Sequence, residues 1–199
     1  TPGAPTNIVA VSSASQSATV GSTVASTPSV HVTDALGNNV SGVPVTFAVA
    51  AGGGTVVPAG PTTVTTSAAG IATATSWTLG TTAGTSNNTV TATVAGLAGS
   101  PVTFTASGTA GAATQIAAAS ATTQSATVGT AVGTPPSVVV RDGSNNPVVG
   151  VAVTFVVTGG ELARTPEQQA LHFKAGRSKT MNSIHLKRCA IDLNFFKDS

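Results

Sequence analysis

The sequence predicts an all-β fold, an antiparallel β-sandwich built from a repeated unit, and three observations support this prediction. Residues 111–160 repeat residues 3–52 at a constant offset of 108, which indicates one structural unit copied in tandem. Apolar and polar residues alternate in short segments, as in half-buried strands. Ala, Thr, Val, Gly and Ser dominate these segments, which favours strands and turns over helices. A barrel is the alternative arrangement of such strands.

Alternating apolar stripes predict the individual strands. The stripes are Val30 and Val32; Val43, Val45, Phe47 and Val49; Ile71 and Trp77; Val90, Ala92 and Val94; Val102 and Phe104. Stretches rich in Gly, Asn and Ala separate them at 36–39, 51–54, 80–88 and 96–99. About seven short strands in a unit of roughly 100 residues are typical of a β-sandwich.

Few side chains of the repeats suggest chemistry. We interpret Trp77 as a core anchor, His31 as an outward-facing strand residue, and Asp34 with its repeat Asp142 as caps of turns. Residues 1–160 contain no Ser/His/Asp arrangement, carboxylate pair or phosphate-binding loop. The repeats are therefore predicted to be non-catalytic.

Charge divides the chain near Gly160. Residues 1–160 hold three of the fourteen charged side chains, and residues 161–199 hold the other eleven and the single Cys. The net charge of +2 therefore comes from the tail, and nothing indicates nucleic-acid binding. There is no apolar run of about 18 residues, so no membrane span is predicted. The first residue is Thr1, without Met or a signal peptide, so we expect a piece of a longer protein.

Five ordered motifs of the first repeat match a known domain family. They are residues 34–47 (DALGNNVSGVPVTF), 52–55 (GGGT), 70–73 (GIAT), 77–80 (WTLG) and 88–92 (NTVTA). They closely resemble the group 1 bacterial immunoglobulin-like domain of invasin- and intimin-type surface proteins. The resemblance implies a complete immunoglobulin-like domain over 1–108 and a truncated second copy over 109–160. It also implies a spacer or adhesin on the bacterial cell surface or virion, therefore extracellular, with an envelope or host-surface ligand.

The tail, 161–199, has a different pattern and is expected to form a short α+β segment. Thr165 and Pro166 predict a helix start, with the helix running to about Lys174. Residues 190–196 (AIDLNFF) alternate like a strand.

Spaced polar residues of the tail resemble a second family. The matching segments are 158–170 (TGGELARTPEQQA), 176–185 (GRSKTMNSIH) and 190–196. They resemble the first half of zinc-dependent cell-wall peptidases, which include D-Ala-D-Ala carboxypeptidases and the L-alanyl-D-glutamate endopeptidases of phage endolysins. The resemblance implies that His185 and Asp192 bind zinc. It implies that Arg164, Gln168 or Gln169, and Ser183 contact a peptidoglycan substrate.

This zinc site is predicted to be partial. A catalytic zinc site needs about three protein ligands and an open water position, and residues 1–199 lack the family's third ligand, a His, and its acidic base. Arg188 also stands where many members have Gly. We expect His172 to face solvent on the helix and Cys189 to act as a small buried hydrophobe. No complete catalytic set is predicted, and any zinc binding is expected to be weak.

Two functions from different classes follow from these resemblances. The first is a non-catalytic surface or virion module, and the alternative is a peptidoglycan-cleaving zinc peptidase that carries immunoglobulin-like repeats. Thr158-Gly159-Gly160 fits both families, so a natural fusion and a sequence-assembly artefact both explain the change of pattern there. We expect the truncated second copy to be less stable than 1–108, with residues 151–157 as an exposed, aggregation-prone edge.

Overall fold

The computed structural model describes residues 1–60 and 63–157, and these residues form β-strands and no helix. The strands are β1 (Pro5–Ala10), β2 (Ser15–Thr19), β3 (Ser29–Asp34), β4 (Pro44–Ala51), β5 (Thr55–Val57), β6 (Thr63–Thr65), β7 (Ile71–Thr73), β8 (Ser76–Thr78), β9 (Gly84–Thr93), β10 (Val102–Thr109), β11 (Ala113–Ala118) and β12 (Val138–Asp142). The all-β prediction is confirmed for this part of the chain.

The helix and the strand predicted in the tail lie outside the described residues. Within the described ranges, the protein has no helix of the length and apolar character needed to cross a membrane.

The first repeat contains three sheets. Their strand orders are β1-β3-β7, β2-β10-β9-β4-β6 and β5-β8. The ladders are antiparallel except between β2 and β10, where Ser15 to Thr19 run parallel to Thr105 to Thr109. The chain therefore leaves one large sheet after β1 and joins the edge of the other at β2. This parallel pair differs from the antiparallel prediction, because alternation within a strand carries no information about its neighbour's direction.

Strands from all three sheets contribute to one hydrophobic cluster. Val30 and Val32 are fully buried while His31 between them is half-buried, as their alternation predicts. The largest buried side chains are Trp77, Phe47 and Phe104, of which none is more than 1% exposed. Aromatic side chains of this size bury roughly 150–250 Å² each, so they dominate the stabilisation of the first repeat.

The stripe predicted to hold both Ile71 and Trp77 is wrong. These residues belong to separate short strands, β7 and β8, in different sheets. Ile71 pairs with His31 and is only half-buried, whereas Ala72 and Ala74 point into the core. The break between the two strands lets the buried side change from even to odd positions. Trp77, paired with Val56, is the core anchor that the sequence predicts.

The second repeat is much less complete in the described residues. Its only strands there are β11 and β12, which form a two-stranded sheet. Residues 151–157, which repeat residues 43–49 and therefore most of β4, have no strand structure. In the first repeat β4 lies between β9 and β6. The described part of the second repeat has no counterpart of either strand, so its backbone lacks partners.

Two compact units are distinguished by their internal contacts. One comprises Thr1–Gln115 together with Arg141–Val148, so it contains the first repeat and the turn after β12. The other comprises Ile116–Val140 and Val149–Ser199, of which residues up to 157 are described. The turn after β12 thus belongs with the first repeat rather than with most of the second.

Candidate functional site at the repeat junction

The site residues predicted in the tail lie outside the described residues. These are Arg164, Gln168, Gln169, Ser183, His185 and Asp192, and the same holds for His172 and Cys189. Within 1–60 and 63–157, no group of three or more His, Cys, Asp or Glu side chains could hold a metal ion. The candidate site that the described residues do provide lies where the first repeat meets the second.

Asp34 caps the turn that follows β3, as predicted. Its Oδ1 accepts hydrogen bonds from the backbone nitrogens of Leu36 and Asn38, both at 2.9 Å. Its Oδ2 accepts from the backbone nitrogen of Gly3 at 2.8 Å and from Asn38 Nδ2 at 3.0 Å. The Asn38 amide, followed by Gly3, favours the charged form and lowers the pKa of Asp34 to about 2.

Asp142 caps the turn after β12 with the same set of contacts. Its Oδ1 accepts from the backbone nitrogens of Ser144 at 2.9 Å and Asn146 at 2.8 Å. Its Oδ2 accepts from the backbone nitrogen of Gly111 at 2.8 Å and from Asn146 Nδ2 at 2.9 Å. The pKa of Asp142 is also lowered to about 2, chiefly by the Asn146 amide and against the effect of burial.

Both turns need a residue in the left-handed region at the same repeat position. Gly37 has φ 81° and its equivalent Asn145 has φ 70°. Gly and Asn are the residues that adopt this conformation at least cost. The turn is thus preserved although the side chain at this position has changed.

Asn146 differs from Asn38 in what else it contacts. Its Oδ1 accepts a hydrogen bond from the backbone nitrogen of Ala83 at 2.8 Å, and its Nδ2 donates to the backbone oxygen of Thr81 at 2.9 Å. The second Nδ2 hydrogen points to the carboxylate of Asp142, so every hydrogen of this amide has a partner. Asn146 is 7% exposed, whereas Asn38 is exposed. One side chain therefore connects the second-repeat turn to a loop of the first repeat.

The loop that Asn146 contacts, residues 80–83, also forms hydrogen bonds with the side chains of two asparagines. Asn87 Nδ2 donates to the backbone oxygen of Thr82 at 2.7 Å. Asn88 is fully buried, donates to Asn87 Oδ1 at 3.0 Å and accepts from the backbone nitrogen of Gly80 at 2.9 Å. We call residues 80–83 the acceptor loop; two of its backbone groups, at Thr82 and Gly80, are hydrogen-bonded to these side chains. Polar networks with every member satisfied restrict a segment to one conformation.

The sequence predicts the two aspartate caps but not the roles of Asn146 and the acceptor loop. A signal was present. Between residues 34–40 and 142–148 only the Asp, the Asn at 38 and 146, and the Val are retained, while the other four positions change. An amide kept inside a changing turn indicates a side-chain role, here the cap and, in the second repeat, the contact with Ala83.

Chemically, this site can hold two segments together. Both carboxylates accept hydrogen bonds from backbone and side-chain amides of the turns that they cap. His31 is half-buried, and its Nε2 hydrogen-bonds to Asn39 Oδ1 at 2.8 Å, in agreement with the outward orientation predicted for it. No protein-family model, curated protein or solved structure matches this chain.

Proposed function

We propose that this chain is a non-catalytic spacer or adhesin of a bacterial cell surface or virion, built from immunoglobulin-like β-sandwich repeats. The observation that carries the proposal is the Asn146 side chain, which joins the turn after β12 to the acceptor loop. A spacer has to keep its two ends at a fixed distance. Repeats connected only by a flexible linker would change their relative orientation freely and could not do this.

The sheet arrangement supports the immunoglobulin-like assignment. A three-stranded and a five-stranded sheet share one cluster of buried side chains, with Trp77 among them. Two sheets packed over a common core of about 100 residues agree with a β-sandwich, and the strand-edge contact of β2 with β10 is compatible with that architecture.

The contact of Asn146 with the acceptor loop, which we call the joint, is favourable in energy as well as in geometry. A hydrogen bond contributes about 1 kcal/mol net, and more is lost when a buried partner is left unsatisfied. Asn146 makes two such bonds to the acceptor loop, at Ala83 and Thr81, and the neighbouring backbone groups of Thr82 and Gly80 are bonded to Asn87 and Asn88. Little conformational entropy therefore remains to be lost when the joint forms.

Composition supports an exported location. Residues 1–160 contain no Cys and only three charged side chains, and Ser and Thr are abundant. We propose that the ligand, if the chain acts as an adhesin, is a component of the envelope or of a host surface. Neither a cofactor nor a metal is needed for the spacer role.

The alternative, a peptidoglycan-cleaving zinc peptidase, rests on the tail residues His185 and Asp192 and their spacing from Ser183 and Ala190. Both functions are compatible with the repeats, since spacers also position wall enzymes. They differ in whether the chain cleaves peptidoglycan.

The test measures the joint and cleavage side by side. ¹⁵N relaxation of the full chain should show the first repeat and residues 141–148 tumbling together, and Asn146→Ala should separate their correlation times. Cell-wall preparations should keep their turbidity with and without added zinc. Zinc-dependent clearing that disappears in His185→Ala would replace this proposal by the peptidase.

A further inference from the structure

We infer that the turn around Asp34 and Asn38 is a docking surface for the acceptor loop of another immunoglobulin-like repeat placed before residue 1. This inference rests on the proposed function, because it extends the observed joint to the opposite end of the first repeat. The occupant is a covalently linked copy of the same unit.

The two turns share the hydrogen bonds that involve the carboxylate of the capping aspartate and its backbone oxygen. The bonds from Gly3 to Asp34 and from Gly111 to Asp142 are both 2.8 Å long. Further out, Asn7 Nδ2 donates to the backbone oxygen of Asp34 at 3.4 Å, and Gln115 Nε2 donates to that of Asp142 at 3.3 Å. The first turn therefore already has the shape that binds the acceptor loop in the second.

Asn38 has the unused hydrogen-bonding groups that this docking requires. Among the described residues its side chain bonds only to Asp34, through one Nδ2 hydrogen. The other hydrogen and Oδ1 match the backbone oxygen and nitrogen that Thr81 and Ala83 present to Asn146. An exposed amide held in a preformed geometry loses little entropy on binding.

The chain path also fits. Thr1 and Pro2 stand at the repeat positions of Thr109 and Ala110, which lead from β10 to Gly111. A preceding copy that ends at its own Gly108 would enter the turn through a connection of the same length. Covalent linkage matters because two hydrogen bonds are far too few for a stable complex between separate chains, whereas a short connection makes the contact intramolecular.

The experiment adds a copy of residues 1–108, isotopically labelled, in front of Thr1 of the full chain. The readout is amide exchange at Ala83 of the added copy. Asn38→Ala in the original chain, with the added copy unchanged, should accelerate this exchange roughly five- to tenfold, as expected for the loss of one net hydrogen bond. Asn39→Ala, which removes an exposed neighbour that bonds to His31, is the control and should leave the rate unchanged.

Several outcomes would overturn the inference. Equal Ala83 exchange in the added copy with and without Asn38→Ala would do so, provided circular dichroism shows both proteins folded. In a second preparation, labelled in the original chain instead of the added copy, side-chain amide signals of Asn38 that stay unchanged when the copy is added would do so as well. If the original chain dimerises at micromolar concentration and Asn38→Ala abolishes this, the occupant is a separate chain and not a linked repeat. Wall cleavage by the tail would refute the non-catalytic assignment and leave this readout intact.

Discussion

The side-chain oxygen of Asn146 lies 2.8 Å from the backbone nitrogen of Ala83, although 63 residues separate them in the chain. The same amide bonds to Thr81 and to the carboxylate of Asp142. Because a backbone N–H can only donate and a backbone C=O can only accept, the orientation of the Asn146 amide is fixed by its partners. The repeat junction thus depends on an amide, and a carboxylate of the same shape would not replace it.

We expect Asn146→Ala to accelerate amide exchange at Ala83 roughly five- to tenfold, since the Ala83 nitrogen loses its acceptor. Asn38→Ala is the matched control: it removes the equivalent bond to an aspartate but no contact with the acceptor loop. Asn146→Asp should behave like Asn146→Ala, because its second oxygen would face the oxygens of Thr81 and Asp142. Exchange measured by NMR that responds equally to Asn38→Ala and Asn146→Ala would contradict this role.

Acid should weaken the first repeat through Asp34. Its pKa is lowered from the ordinary 3.8 to about 2 in the folded protein. A group with a lowered folded pKa contributes stability that is present above its unfolded pKa and is lost as the pH falls through the folded pKa. The charged carboxylate therefore stabilises the fold above about pH 4, and this contribution disappears towards about pH 2.

The comparison of wild type with Asp34→Asn isolates this effect, since all other acidic groups are common to both proteins. At about pH 5 the variant should be the less stable of the two in urea unfolding, because an amide cannot accept all the bonds that the carboxylate accepts. The difference in unfolding free energy should shrink as the pH is lowered to about 2. A difference that stays constant over this range would show that Asp34 does not titrate in this way.

Two phenylalanines at the same repeat position should differ sharply in their contribution to stability. Phe47 is fully buried, whereas its equivalent Phe155 is 45% exposed. Phe47→Ala should lower the unfolding free energy of the first repeat by about 3–5 kcal/mol through lost burial and the resulting cavity. Phe155→Ala should cost less than about 1 kcal/mol. Urea unfolding followed by far-ultraviolet circular dichroism measures both, and equal costs would mean that the second copy is packed like the first.

The sequence predicted burial within strands far better than the relations between strands. The alternation of Val30, His31 and Val32 fixes which side faces the core, because the period of a strand is local. The parallel contact of β2 with β10 depends on residues 90 apart, for example Ser15 and Thr105. The prediction that Ile71 shares a stripe with Trp77 is wrong for a related reason, because three-residue strands are too short for their alternation to show where one ends.

In the candidate site too, the local contacts can be predicted from the sequence and the long-range contacts cannot. The cap at Asp34 is local, since an aspartate before a Gly/Asn turn bonds to the backbone two and four residues ahead. The Asn146 contact is not local. Its partners are backbone groups of Thr81 and Ala83, so the side chains at 81–83 do not indicate it. Only the comparison of the two repeats indicates that Asn146 matters. The zinc and substrate residues proposed in the tail stay predictions.

The exposed apolar residues of the second repeat should drive aggregation. Val151, Val156 and Val157 are 41%, 60% and 73% exposed, whereas Val43, the equivalent of Val151, is 7% exposed. Unpaired apolar segments with high β-propensity associate edge to edge, and a single charge interrupts them. Val156→Lys should therefore slow aggregation measured by light scattering, and Leu36→Lys, at an 88% exposed turn position, should not.

Hydrogen exchange supplies the independent check on the same segment. Amides of residues 151–157 should exchange far faster than those of β4, because β4 is paired on both sides and the second-copy segment has no strand structure. The difference should persist in Val156→Lys, since the substitution blocks association without supplying partners. Protection of 151–157 equal to that of Pro44–Ala51 would show that this segment is covered after all, and would remove the cause proposed here for aggregation.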